Sequence, residues 1–279
     1  MSKEINCVNK ILDLATPQVM GILNVTPDSF SDGGQFNAVE SALEQTQRML
    51  VQGAAIIDIG GESTRPGAKN VSVNEELDRV IPVIEKIASE FDTVISIDTS
   101  KPDVMREAVK AGASLINDVN ALQADGALEA AVKLEVPVCL MHMQGKPRTM
   151  QKNPEYKNVT DDVVSFLTQR VDVCVNAGIA KNRLIIDPGF GFGKTLNHNL
   201  QLMHDLEEFK NIDCTLLVGV SRKSMIGQIL DVEVDDRLIG SVALETLAVW
   251  KGADIIRAHD VKAAVEAVKV ATVVKSAKL

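Results

Sequence analysis

Aromatic side chains are scarce in this chain, 3% of 279 residues with one Trp and one Tyr. Proteins that stack single-stranded nucleic acid need more such platforms, so that class is set aside. Excess positive charge is missing as well: 29 Lys and Arg stand against 38 Asp and Glu, for a net charge of −9. Phosphate backbones reward excess Lys and Arg, so neither nucleic acid nor an anionic membrane is expected as a general partner. Any anionic substrate must then be held by a local basic site. Nothing approaches the roughly eighteen consecutive apolar residues of a membrane span. The N-terminus MSKEINCVNKILDL lacks the basic start, apolar run and cleavage site of a secretory signal, so a cytoplasmic protein is expected. Cys7, Cys139, Cys174 and Cys214 are scattered without a CxxC pair, and the four histidines show no zinc spacing. Packed, reduced thiols are expected rather than a disulfide framework or a zinc cluster. Repeats, low-complexity tracts and linkers are also absent, which predicts a single domain over 1–279.

What is present is an alternation. Eight short runs rich in Val, Ile and Leu end in polar or glycine-flanked residues. They are VMGILN at Asn24, AAIIDIGG around Asp58, TVISID at Asp98, SLIND at Asn117, VPVCLMH at Met141 and His142, RLIID at Asp187, TLLVG before Ser221, and DIIRAH at Arg257 and His259. Each run is continuous in its hydrophobicity, as parallel strands buried on both faces should be. Between them, 38–52, 74–90, 102–110, 124–133, 162–176, 199–209, 236–251 and 261–276 place apolar residues three and four apart, the pattern of helices lying on a sheet. Gly53, Gly112, Gly178 and Gly252 each follow a helical stretch, where glycine permits a left-handed cap. Eight alternations predict a (β/α)8 TIM barrel, which typically takes about 250 residues, with its active site at the C-terminal rim of the strands. The loops 25–37, 60–73 and 143–160 are long and polar, and all follow strands. Such loops are where a barrel keeps its function.

The loops NVTPDSFSDGG and GGESTRPGA combine glycines with Asp, Ser, Thr and Arg, the composition of a lid that orders on substrate. The plainer alternative makes Pro27-Asp28 and Pro66-Gly67 ordinary turns. Around Asp187 the segment DPGFGFGKT invites a phosphate-loop reading and fails it, because Pro188 occupies the position of the first required glycine. An acidic group at a barrel centre can instead accept two parallel hydrogen bonds from the N-C-N edge of a 2-amino pyrimidinone, and Asp98 and Asn117 could read the remaining ring atoms. A cap or salt bridge is the alternative for each taken singly. The basic groups cluster late, with Ser221, Arg222, Lys223 and Ser224 after the seventh strand and Arg257 and His259 after the eighth, a frequent phosphate site in these barrels. Against that stands a pairing of Arg222 with a rim carboxylate and a helix-entry role for His259. His142, between two methionines, is expected to pack rather than catalyse.

The segments ILNVTPDSFSDGG, IIDIGGESTRPGA, SIDTSKP, LINDV, DPGFGFGK, GVSRKS and IIRAHDV, spread over 22–261, closely resemble those of the bacterial dihydropteroate synthases, pterin-binding TIM-barrel enzymes. These transferases join 6-hydroxymethyl-7,8-dihydropterin diphosphate to 4-aminobenzoate. The resemblance implies that Asp98, Asn117, Asp187 and Lys223 hold the pterin, with Arg257 against its face and Met141 on the pocket wall. Asn24, Arg257 and His259 would bind the diphosphate, and Asn24 would also ligate Mg2+. Thr64, Arg65, Phe192, Lys223 and Ser221 would form the aminobenzoate site, with Phe30 and Pro66 contributing. Asp32 would steady developing positive charge, and catalysis is expected from Asp32, Arg65, Lys223, Arg257 and His259. A homodimer through the late helices is implied as well.

A methylene on an electron-rich dihydropterin ionises readily, so loss of diphosphate can precede attack by the aryl amine, and catalysis reduces to electrostatic help for the leaving group. Two rivals use the same pterin pocket: a methyltetrahydrofolate-corrinoid methyltransferase and an inactive pterin-binding scaffold. The first has no diphosphate to bind, which the SRKS and RAH segments argue against. Intact first and second loops disfavour the second.

Overall fold

Strands of the predicted type close on themselves in the computed structural model, which describes residues 4–8, 10–25, 34–63, 70–145, 149–151 and 153–277, with backbone only for 34–37. Ahead of the barrel, β1 (Glu4–Cys7) and β2 (Lys10–Asp13) form an antiparallel hairpin. The barrel itself consists of β3 (Gln18–Asn24), β4 (Ile56–Gly60), β5 (Val94–Asp98), β6 (Leu115–Asp118), β7 (Val138–Met141), β8 (Leu184–Asp187), β9 (Thr215–Val218) and β10 (Ile255–Ala258). Every neighbour pair is parallel, and β10 returns to β3. All eight predicted strands are therefore found, in chain order.

Around them run α1 (Gly34–Val51), α2 (Val73–Glu90), α3 (Pro102–Ala111), α4 (Ala127–Leu134), α5 (Val159–Asn176), α6 (Leu196–His204), α7 (Ser224–Leu230), α8 (Leu238–Lys251) and α9 (Val261–Ser276). Their starts follow local chemistry. Ser72 caps α2 by accepting from the Glu75 amide at 3.2 Å, and Asn158 caps α5 by accepting from the Thr160 amide at 3.0 Å. That cap starts α5 three residues before the predicted 162. The predicted helix 199–209 is two elements, α6 and a 3-10 segment at Leu206–Ile212, because the chain turns at Asp205. The short α7 is additional to the eight predicted helices and begins just after the SRK segment. Gly53, Gly112, Gly178 and Gly252 all adopt positive φ, from 100° to 122°, at the helix exits where they were expected.

Parity along each strand sorts the side chains. Ile57, Ile59, Ile95, Ile97, Leu140 and Ile186 point outward into a buried cluster with the helices. Met20, Ile56, Val94, Leu115, Cys139, Ile185, Leu217 and Ile255 point inward and form a second cluster with Ile5, Cys7, Leu12 and Leu14 of the hairpin. Thus β1 and β2 cork the N-terminal end of the barrel. Burial alternates along both strands, as in a sheet with one wet face, but only EINC shows it in its residue types, because KILD carries an exposed Ile11 beside the buried Leu12. Two residues further along the inward row, apolar side chains give way to Asp58, Ser96, Asn117, Asp187 and Arg257, and two further on β5 to Asp98.

Candidate active site

The charged end of the barrel is organised around Arg257. Its Nε donates to Asp58 Oδ2 at 2.6 Å, and its Nη2 donates to Asp98 Oδ2 at 2.8 Å. Asp58 Oδ2 also accepts from Asn117 Nδ2 at 3.1 Å, while its Oδ1 is buried without a hydrogen-bond partner. One fully buried carboxylate thereby fixes both the guanidinium plane and the Asn117 amide, and Nη1 of Arg257 is engaged by neither Asp58 nor Asp98. Strand register explains the meeting: Gly60 lies beside Asp98 and Asp98 beside Asn117, so residues far apart in sequence share one rim.

Asp187 ends β8 beside Met141 at the end of β7. Its Oδ1 accepts from the Gly189 amide at 2.7 Å. Lys223 sits with its Nζ 4.1 Å from the centroid of the Phe192 ring, a cation-π contact. Ser221 Oγ accepts from the His259 amide at 3.1 Å and lies 3.1 Å from His259 Nδ1. Asn24 closes β3 next to Gly60, where an added Cβ would stand 3.8 Å from Asn24 Oδ1 and 3.6 Å from the Asp98 Cβ. The absence of a side chain at Gly60 keeps the space between those two groups open.

Electrostatics follow from burial and crowding. Burial raises Asp98 to about 7 against the pull of Arg257, with Asp58, Glu76 and Asp118 adding to the rise. Burial likewise raises Asp187, opposed by the Gly189 amide and by Lys223 and Arg257. Lys223 is lowered to about 8 by burial, with Asp187 working the other way. His259 is lowered to about 4 by burial and then by Arg257 and Arg222, so its ring is neutral near pH 7. Arg257 stays charged, because the attraction of Asp58 and Asp98 outweighs its burial. A rim whose cations are compressed together in this way is prepared for an anion.

The expected residues Asp98, Asn117, Asp187, Lys223 and Arg257 converge on this rim, with Met141, Phe192, Ser221 and His259 around them. Phe30, Asp32, Thr64, Arg65 and Pro66 lie outside the described residues. Arg222 takes the alternative reading: its Nε and Nη2 donate to Asp260 at 2.8 and 2.6 Å, so it braces the start of α9 instead of facing the mouth. His142 packs, 4.9 Å edge-on from the Phe166 ring and 6% exposed. Sequence reasoning missed Asp58 as a site residue. It is the inward position two residues before the end of β4, and its place inside an apolar run hides it until the pairing register is known.

Among the described residues no group of three or more His, Cys, Asp or Glu could hold a metal. A single amide oxygen at Asn24 is nonetheless the kind of donor that Mg2+ accepts, since that ion keeps several waters and binds through one or two protein oxygens plus substrate phosphates. Asn24 is partly exposed at the rim.

Comparison with known proteins fits this geometry. The family model described as pterin binding enzyme matches residues 20–259. A dihydropteroate synthase of Haemophilus influenzae is 59% identical over 262 residues, covering 94% of this chain and 95% of that protein. The structure of Xanthomonas albilineans dihydropteroate synthase with 4-aminobenzoic acid superposes with a TM-score of 0.94 at 48% identity over all of both chains. The same enzyme in complex with 7,8-dihydropteroate gives a TM-score of 0.90 at 46% identity, over 99% of this chain and 100% of that one.

Proposed function

This chain belongs to the pterin-binding enzyme family and carries dihydropteroate synthase activity, a transfer of the EC 2.5.1 type, and we propose how its residues divide that reaction. The substrates are 6-hydroxymethyl-7,8-dihydropterin diphosphate and 4-aminobenzoate, and the products are 7,8-dihydropteroate and diphosphate. The observation that carries the assignment of roles is the convergence of Asp98, Asn117, Asp187 and Lys223 around a guanidinium already oriented by two carboxylates.

In this reading the pterin edge is read by Asp187, Asn117 and Asp98, and Lys223 donates to a ring acceptor. Arg257, with Nη1 unengaged by Asp58 or Asp98, lies against the ring and reaches the diphosphate. His259, held by Ser221, meets the same diphosphate. As the bond between methylene carbon and diphosphate oxygen breaks, the dihydropterin nitrogens delocalise the cation, in the manner of an SN1 substitution. Arg257 and His259 stabilise the charge collecting on the leaving group through preorganised donors. Asn24 would hold magnesium, which when bound would add to the neutralisation of that charge. The aryl amine of 4-aminobenzoate then attacks from beside Phe192 and Lys223, with Ser221 near its carboxylate. Thr64, Arg65, Pro66, Phe30 and Asp32 complete the site in this proposal, and exclusion of water protects the cation.

Two coarser expectations belong here as well. A cytoplasmic location accords with a substrate that is a small phosphorylated metabolite, and no helix among the described residues is long and apolar enough to cross a membrane. A homodimer is supported by exposed Ile239 and Trp250 on α8 and by Val270, Val273 and Val274 on α9, apolar side chains on two helices packed together. Sedimentation equilibrium tests it.

The decisive assay is diphosphate release from the pterin diphosphate with magnesium, with and without 4-aminobenzoate, followed by mass detection of dihydropteroate. Product that needs both substrates and magnesium is the expected result. Pterin binding without turnover would assign the chain to an inactive scaffold.

A further inference from the structure

Behind the Phe192 loop lies a buried cation that the proposed reaction does not use. Lys194 is 3% exposed. Its Nζ donates to the Gly189 carbonyl at 2.8 Å, the Phe192 carbonyl at 3.0 Å, the His142 carbonyl at 3.4 Å and His142 Nδ1 at 2.9 Å. An ammonium has three protons and no lone pair, so these acceptors share its donors, and the His142 ring must present an unprotonated Nδ1. Burial, followed by the charge of Lys194, lowers His142 to about 3, which keeps the ring neutral, and burial lowers Lys194 itself to about 7 against the pull of Asp187.

The four acceptors come from two places. Two belong to the 189–193 loop after β8, and two belong to His142 just past β7. These backbones are pressed together: an added Cβ at Gly189 would meet the His142 carbonyl at 1.9 Å, and one at Gly193 would meet the Gln144 carbonyl at 2.4 Å. Both glycines have positive φ, 69° and 62°. Three carbonyl oxygens gathered within 3.4 Å of one nitrogen repel one another unless a donor with positive charge lies among them, and protonated Lys194 is that donor. The residues whose carbonyls it collects also shape the site. The Gly189 amide donates to Asp187, and the Phe192 ring lies under Lys223.

We propose that Lys194 is a positioning residue of the aminobenzoate site, its ammonium pinning the glycine loop against β7 so that the Phe192 ring is held under Lys223. The proposal rests on the placing of Phe192 beside 4-aminobenzoate. Asp187 stands at a strand end, whereas Phe192 hangs five residues out on the loop. Loss of Lys194 therefore acts on the second substrate more than on the first.

Steady-state kinetics with both substrates varied test this. Lys194→Met, which keeps the stem without the charge, is expected to raise the KM for 4-aminobenzoate about tenfold while that for the pterin diphosphate moves by less than about threefold. Lys194→Gln, whose amide still donates to two carbonyls, falls between Lys194→Met and the parent. Lys194→Ala opens the cage, and added ethylammonium should restore the aminobenzoate KM, a rescue that general destabilisation would not show. Phe192→Ala is the control: no rise in its aminobenzoate KM would remove the reading of Phe192, whereas a rise there with none in Lys194→Met would overturn the role of Lys194. Equal rises in both KM values, absence of rescue, or loss of soluble fold in every Lys194 variant would each overturn it too, making the lysine a general folding element.

Discussion

The two ends of the barrel are built from the same eight strands with the same inward parity, and they solve opposite problems. At the N-terminal end Met20, Ile56, Val94, Leu115, Ile185 and Ile255 meet the hairpin residues Ile5, Cys7, Leu12 and Leu14 in a dry plug. Each such side chain contributes roughly 1.5–3 kcal/mol by leaving water, and none depends on a particular partner. At the C-terminal end the inward row is Asp58, Asp98, Asn117, Asp187 and Arg257, where every group needs a specific neighbour. A buried ion pair adds little net stability, yet removing one member leaves a costly orphan charge. Stability is therefore lodged at one end and specificity at the other.

The sharpest way to break this division is Asp58→Ala. It leaves Arg257 with Asp98 as its remaining carboxylate and frees the Asn117 amide, so it should cost about 3–5 kcal/mol of stability. The same change should lower kcat/KM by more than about 10²-fold, because a misaimed guanidinium no longer meets the diphosphate. Urea unfolding beside turnover measures both; activity within a factor of a few of the parent would refute the aiming role of Asp58. At the opposite end, Ile56→Ala should cost about 2–5 kcal/mol in the same unfolding experiment. There kcat/KM at a temperature where the variant is folded should be unchanged. A selective loss of activity would mean that the plug and the mouth are coupled.

Within the mouth, Lys223→Ala should weaken pterin diphosphate binding by about 2 kcal/mol, roughly thirtyfold in Kd, with little change in the unfolding midpoint. Burial lowers Lys223 to about 8, so its charge costs the free fold at pH 7, and that cost offsets what its contacts with Phe192 and Asp187 contribute. Calorimetric titration decides it, and undiminished affinity would take Lys223 out of the pterin site.

How far the sequence could be read follows the same division. Barrel strands announce themselves as continuous Val, Ile and Leu runs, and rim residues as the polar group that ends each run, so Asn24, Asp98, Asn117, Asp187, Arg257 and His259 were legible. Three features were not. The hairpin is short and lies outside the alternation of strand and helix. Asp58 sits inside an apolar run, where only the pairing register shows it beneath Arg257. Arg222 and Lys223 are adjacent in a basic segment, and nothing in their order tells that one turns back to Asp260 while the other lies over Phe192. That choice comes from the left-handed backbone at Arg222, φ 55°, which sends successive side chains apart.

The smallest predicted effect separates the two halves of the mouth itself. Free His259 is lowered to about 4 by burial and by Arg257 and Arg222. A bound diphosphate offsets those cations and raises the imidazole toward its ordinary range, so at pH 6 the complex holds more protons than the free protein. Linkage then makes the affinity for inorganic diphosphate rise as pH falls from the raised value toward 4, by at most about 1.4 kcal/mol per pH unit for one proton. Asp98 works with the opposite sign. It is raised to about 7 by burial, and ring N–H donors favour its ionised form, so a pterin lacking diphosphate should release protons at pH 6 and bind better as pH rises toward 7. Titrations in two buffers of different ionisation enthalpy count the protons for each fragment. Uptake for both fragments would contradict the assignment of Asp98 to the ring. Loss of uptake for diphosphate in His259→Asn, with release by the pterin intact, would place the two linkages on the two residues named.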